Sequence, residues 1–153
     1  MSIKKFLLAG AISLSLIWGC KKEDSLVNAK TNILGTWYAQ SYDLGYYSNT
    51  EGFLSDVSTP SSALANDPPM IFNSDFTLQD GSKVFDYSIT RGPKVDSLTY
   101  NGHTYVILSL TKDQLMLRTS FSDGQLFTNG TQEVSSSFAI GTSTFSRVKF
   151  SGQ

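Results

Sequence analysis

Cysteine is nearly missing from this chain: Cys20 is the only one among 153 residues. A single thiol excludes any disulfide within the chain. With only His103 beside it, the donors are also too few for a zinc site. One histidine leaves little acid–base chemistry near neutral pH, and His103 follows Asn101-Gly102, a hairpin-tip signal that places it in solvent. Serine is plentiful, yet no serine lies in a nucleophile motif. The acids Asp75, Asp80, Asp96, Asp113 and Asp123 stand singly at turns, where Asp serves backbone geometry. The expectation is a protein with no catalytic residues, no metal and no cofactor. Positive charge is scarce as well. Twelve Lys and Arg against 13 Asp and Glu give a formal charge of −1 and no basic patch, which argues against nucleic acid as a partner. Long apolar runs are absent too. The longest, Phe6 to Trp18, would span roughly 20 Å as a helix, short of the ~30 Å of a bilayer core.

What is present begins with that run. Lys4 and Lys5 precede it, and Gly19, Cys20 and the charged stretch Lys21-Lys22-Glu23-Asp24 follow. A basic start and a short apolar middle are the signature of a secretory signal peptide. Ile17-Trp18-Gly19-Cys20 resembles the lipobox of bacterial lipoproteins. The resemblance implies cleavage before Cys20, a thioether from its thiol to diacylglycerol and an acylated amine. Two or three acyl chains hold firmly where one holds marginally. The membrane is then a partner through Cys20, and the location is the outer membrane, on its periplasmic face or at the cell surface. An ordinary secretory signal would instead leave a free thiol. Lys22-Glu23-Asp24 resembles a surface-export signal of such lipoproteins. Asp24-Ser25-Leu26 resembles an envelope O-glycosylation acceptor, with Ser25 as the modified residue. Cleavage removes Lys4 and Lys5, so ten cations face thirteen carboxylates, a formal −3. The organisation read from the sequence is a leader over 1–19, a lipidated cysteine with a flexible tether over 20–32, and one domain over 33–153.

From Ile33 onward the apolar period is two. Phe85, Tyr87 and Ile89 alternate with polar neighbours, and Leu115 and Leu117 alternate with Met116 and Arg118. Turn pairs such as Asp80-Gly81, Asn101-Gly102 and Asp123-Gly124 separate the runs. This pattern predicts an all-β, antiparallel barrel or sandwich. The expected strands are 34–42, 69–73, 76–80, 83–90, 96–101, 104–110, 114–120 and 143–150, with 125–128 and 132–140 as extra or alternative pieces. Residues 43–68 lack a clean strand period and read as one long loop. It is either a lid over a barrel mouth, with Tyr46, Tyr47 and Phe53 as contacts, or an insertion whose aromatics pack outside.

Leu34-Gly35-Thr36-Trp37 resembles the Gly-x-Trp motif that opens the lipocalin fold. Tyr105 to Arg118, Met70 to Thr77 and Phe145 to Phe150 resemble later hairpins and the last strand of lipocalin-like domains in small Gram-negative lipoproteins. The resemblance implies an up-and-down barrel of about eight strands. It also implies a floor motif of Gly35, Trp37 and a last-strand arginine, Arg147 by position, packed over the indole. The alternation sets Arg147 opposite Val148 and Phe150, whose apolar character would claim the inner face. Phe72, Phe85, Tyr87, Ile107, Leu115 and Leu117 are the candidate ligand-lining residues for a small hydrophobic or amphipathic molecule. So many large side chains in an eight-stranded barrel point to a narrow, mostly filled interior with at most a shallow pocket near the mouth. A solid barrel that docks an envelope protein is the alternative.

Overall fold

The structure, a computed structural model, describes residues 23–50, 52–122, 126–129 and 132–149. The leader and Cys20 lie outside the described residues. The element order is α1 (Glu23–Asn32), β1 (Gly35–Ser48), β2 (Gly52–Thr59), α2 (Ser61–Leu64), β3 (Met70–Phe72), β4 (Thr77–Asp80), β5 (Lys83–Arg91), β6 (Asp96–Tyr100), β7 (His103–Leu110), β8 (Gln114–Phe121), β9 (Leu126–Asn129), β10 (Gln132–Ser135) and β11 (Phe138–Ser146).

Eight of these strands close into an antiparallel barrel, β1-β3-β4-β5-β6-β7-β8-β11, sealed by pairing of β11 with β1 from Tyr38↔Ser146 to Tyr47↔Phe138. Closure joins the two ends of the eight-stranded sheet, and β2 adds to the upper part of β1 as a ninth strand. The Asp80-Gly81 and Asn101-Gly102 turns are those the sequence announced, while Asp123-Gly124 lies outside the described residues. Asn101 (φ 49) and Gly102 (φ 76) both take the left-handed conformation of a two-residue hairpin, and His103 beyond them is exposed. Period-two burial fills the lower lumen with Trp37, Phe72, Leu78, Leu98 and Leu115, each 0–1% exposed, and with Tyr87, Ile89, Ile107 and Leu117 packed on them. Completely burying a side chain of this size is worth about 1.5–3 kcal/mol each.

Three expectations are corrected. Residues 43–68 are not a loop. β1 runs on to Ser48 and turns into β2, with Tyr42↔Thr59 through Ser48↔Gly52 in register, and only the stretch around α2 is irregular. Ser41, Asp43, Gly45 and Ser48 dilute the sequence signal, while pairing on both edges of β1 supplies the order. The last barrel strand is 138–146, not 143–150, and the expected piece 132–140 splits. Its first part forms β10, paired with β9 in a separate two-stranded sheet. Residues 23–32, read as tether, are helical. Ala29 in that segment and Ile33 just after it are buried at one end of the barrel. At the helix C-terminus the N–H groups of Ile33 and Leu34 donate to Ala29 O and Thr31 O, and side chains meet the carbonyls that follow. Arg147 Nη2 donates to Asn32 O (2.7 Å) and Trp37 Nε1 donates to Ile33 O (2.6 Å).

That end, with α1 and the turns before β4, β6 and β8, is the floor. The opposite end, with the β1–β2, β4–β5 and β6–β7 turns, is the mouth.

Candidate functional site

The floor motif assembles in full. Arg147 Cζ lies 3.8 Å from the centroid of the Trp37 ring, which is completely buried. A cation over an indole is worth about 0.5–2 kcal/mol. Arg147, just past β11, lies on the same inner face as Phe145, while Val148, 75% exposed, does not claim that face; Phe150 lies outside the described residues. The Arg147 guanidinium also reaches Thr36 O (3.4 Å) and Lys112 O (3.2 Å), so it ties α1, β1 and the β7–β8 turn together. Desolvation there holds its pKa below the usual arginine value, with Asp113 acting the other way. Gly35 is required on two counts. Its φ is +102, and a Cβ would stand 2.7 Å from Arg147 Nη1. These three residues are structural. They close one end of the lumen.

The candidate lining residues divide. Phe72, Tyr87, Ile107, Leu115 and Leu117 are packed into the core, and only Phe85, half-buried, looks toward the mouth. Tyr87 is turned to a local task, donating its hydroxyl to Asn73 O (3.1 Å), and burial raises its pKa. The lid candidates divide as well. Tyr46 is an inward, buried residue of β1, packed with Ala139, Leu44, Leu54 and Val134. Tyr47 stacks on Phe138 (5.0 Å between centroids) and meets Phe53 edge-on (5.7 Å), with Phe53 57% exposed. Ser25 falls within α1.

The mouth half of the lumen is built differently from the floor half. A bulge between Ala39 and Ser41 resets the alternation of β1, so that Tyr42, Leu44 and Tyr46 pair with Ser143, Gly141 and Ala139 on the inner face. Gly141 leaves room there, because a Cβ at that position would stand 2.9 Å from Tyr42 Oη and 3.3 Å from a ring carbon of Phe121. Across the lumen, Tyr100 and Tyr105 stack (5.0 Å, 14°), and Tyr100 lies 6.2 Å from Phe85. Burial pushes the Tyr100 hydroxyl far up, its hydrogen bond to Tyr105 adds to this, and Asp80 acts in the same direction. Burial also raises Tyr42, with Tyr46 and Tyr105 adding to the effect. Tyr42 thus feels Tyr46 and Tyr105, and Tyr100 is hydrogen-bonded to Tyr105, within this half. Tyr42, Leu44, Phe85, Tyr100, Tyr105 and Thr119 all remain half-buried, in contrast to the sealed layer beneath. The arrangement offers aromatic walls to an apolar body and neutral hydroxyls to a polar group.

Sequence reasoning missed Tyr42, Tyr100 and Tyr105. Tyr100 pairs with His103 and Tyr105 with Leu98, so the two tyrosines are diagonal neighbours on one face of the Asn101-Gly102 hairpin and could have been matched from its register, whereas Tyr42 is readable only once the bulge is known. Among the described residues no three His, Cys, Asp or Glu side chains gather where they could hold a metal ion. A cleft of about 500 Å³ opens at the floor between α1, the 92–95 turn and β7, lined by Asn28, Asn32, Lys94, Asp96, Ile107 and Leu110 among others.

Comparison with protein-family models, curated proteins and solved structures finds no match to this chain. The fold and the site define it as a closed eight-stranded antiparallel barrel with a filled floor and a tyrosine-lined mouth half.

Proposed function

We propose that this chain is a lipocalin-like lipoprotein of a bacterial envelope, anchored in the outer membrane through acylated Cys20, and that it carries a small amphipathic ligand in the mouth half of its barrel. The observation that carries the ligand reading is the contrast along the lumen. The floor layer is sealed, whereas Tyr42, Tyr100, Tyr105 and Phe85 are inward and half-buried. Inward aromatic side chains that remain accessible leave surface for a guest to cover. Hydroxyls with raised pKa stay neutral at physiological pH, so they select a polar head by hydrogen bonding and not by charge. The anchoring reading rests on the order Lys4-Lys5, apolar run, Gly19-Cys20. The role is transport or retention of the ligand, without catalysis.

Native mass spectrometry of the protein extracted from its own membrane tests both halves. The expected spectrum shows acyl mass on Cys20 and a bound small molecule, lost in a Tyr100→Ala, Tyr105→Ala variant that keeps its fold. Acylated but ligand-free protein across growth conditions refutes the ligand reading. Unmodified Cys20 refutes the anchor. A second reading, a docking module for an envelope protein, is favoured by the outer aromatic patch of Tyr47, Phe53 and Phe138 near the mouth.

A further inference from the structure

The two ends of the barrel both expose apolar side chains, Phe53, Val84 and Phe121 toward the mouth and Phe76, Val95 and Val148 at the floor. Charge tells them apart. Of the five lysines whose side chains are described, Lys30, Lys94, Lys112 and Lys149 are exposed at the floor and only Lys83 lies at the mouth. The mouth side carries Asp43 and Asp56 on the β1–β2 hairpin and Asp80 at the β4–β5 turn. The floor also holds Asp75, Asp96 and Asp113, fewer carboxylates than its four lysines with Arg91 and Arg147, and two of the three are already engaged, Asp113 by Lys112 itself. Asp75 accepts from the backbone N–H and hydroxyl of Thr77, and Asp113 pairs with Lys112 at 3.9 Å.

The floor segments form one surface. Arg147 bridges α1 at Asn32 to the β7–β8 turn at Lys112, and Lys30 Nζ lies 5.9 Å from the Phe76 ring. The 92–95 turn faces Asn28, Ala29 and Asn32 across the floor cleft. Phe76 is held outward at φ 65, 52% exposed, beside that lysine. Aromatic and aliphatic side chains ringed by lysines suit the interface of an anionic bilayer, where each lysine near the surface strengthens partition about fivefold.

Chain length places the same end at the membrane. Because α1 begins at Glu23, three peptide steps separate Cys20 from the helix, at most about 11 Å. The tether is therefore too short to let the barrel turn over freely.

We infer that the floor of the barrel docks on an anionic lipid surface, with Phe76, Val95 and Val148 at the interface, Lys30, Lys94, Lys112 and Lys149 among the headgroups, and the mouth directed into the aqueous compartment. The inference rests on the acylation of Cys20 for its location but not for its chemistry. Its consequence is that the ligand of the mouth half exchanges with water or a partner and not directly with the bilayer on which the protein stands.

The native lysines are their own reporters. The processed protein is placed on vesicles of phosphatidylethanolamine and phosphatidylglycerol, on vesicles of phosphatidylcholine, and in detergent. A water-soluble amine-acylating reagent then labels it, and each lysine's rate is read by peptide mass spectrometry. On anionic vesicles Lys94, Lys112 and Lys149 label about fivefold or more slowly than in detergent. Lys83 keeps its rate, and protection weakens on phosphatidylcholine and with added salt. Equal rates at all five lysines, or protection of Lys83 instead, overturn the inference. The intact mass of the same sample reports acylation separately. Should Cys20 prove unmodified, the labelling of that soluble protein with and without anionic vesicles still decides the docking face.

Discussion

Replacing Gly35 by alanine tests the claim that this position exists to admit a guanidinium. Two costs are expected. At φ +102 an L-residue occupies a sparsely allowed region, which costs about 1–3 kcal/mol. The new Cβ, 2.7 Å from Arg147 Nη1, also drives the guanidinium off the Trp37 ring and away from Asn32 and Thr36. A cation–π contact of about 0.5–2 kcal/mol and hydrogen bonds from a charged donor are then weakened, a loss of about 2 kcal/mol for a partly solvated group. Gly35→Ala alone should therefore cost about 3–5 kcal/mol. In an Arg147→Ala background only the backbone cost remains, so the two substitutions should couple by about 1–2 kcal/mol. Urea denaturation followed by Trp37 fluorescence measures all four corners of the cycle, with unchanged m-values required for the comparison. Additivity within about 0.5 kcal/mol would refute the reasoning, because the glycine would then serve backbone geometry alone.

Three further outcomes follow from the same packing. Leu115→Ala should cost about 2–5 kcal/mol in chemical denaturation while ligand affinity in the surviving folded fraction is unchanged, since Leu115 is completely buried beneath the mouth half. Alkaline titration should show a late tyrosine phase. Burial raises Tyr42, Tyr87 and Tyr100 above the unfolded value near 10, so their contribution to stability is complete below about pH 10 and is lost as pH climbs beyond it; the near-ultraviolet tyrosinate band should show fewer than the chain's seven tyrosines ionising before the fold is lost. Gly102→Val should destabilise by about 1–3 kcal/mol, because the position has φ 76 although it lies in open space, and Gly102→Asn should recover most of the loss.

The amino-acid order by itself determined the all-β, antiparallel class of this protein. Period-two runs and turn pairs such as Asn101-Gly102 dictate antiparallel hairpins, which suit a barrel or a sandwich alike, and the pairing of β11 with β1 made it a barrel. Gly35, Trp37 and Arg147 were marked by their resemblance to the lipocalin floor motif, while the alternation of the last strand spoke against Arg147. Three further matters were decided only in three dimensions. The helix over 23–32 is weakly amphipathic, and its last carbonyl, Asn32 O, is met by Arg147, 115 residues away. The order of 43–59 comes from pairing with β11 and within the β1–β2 hairpin, so the polar composition that read as a loop was not the deciding term. The mouth-half tyrosines converge because a bulge near Gln40 shifts β1 by one residue, and a one-residue shift exchanges the inner and outer faces. Periodicity records which faces alternate. Which of two faces is inside is settled by the partners that close the barrel.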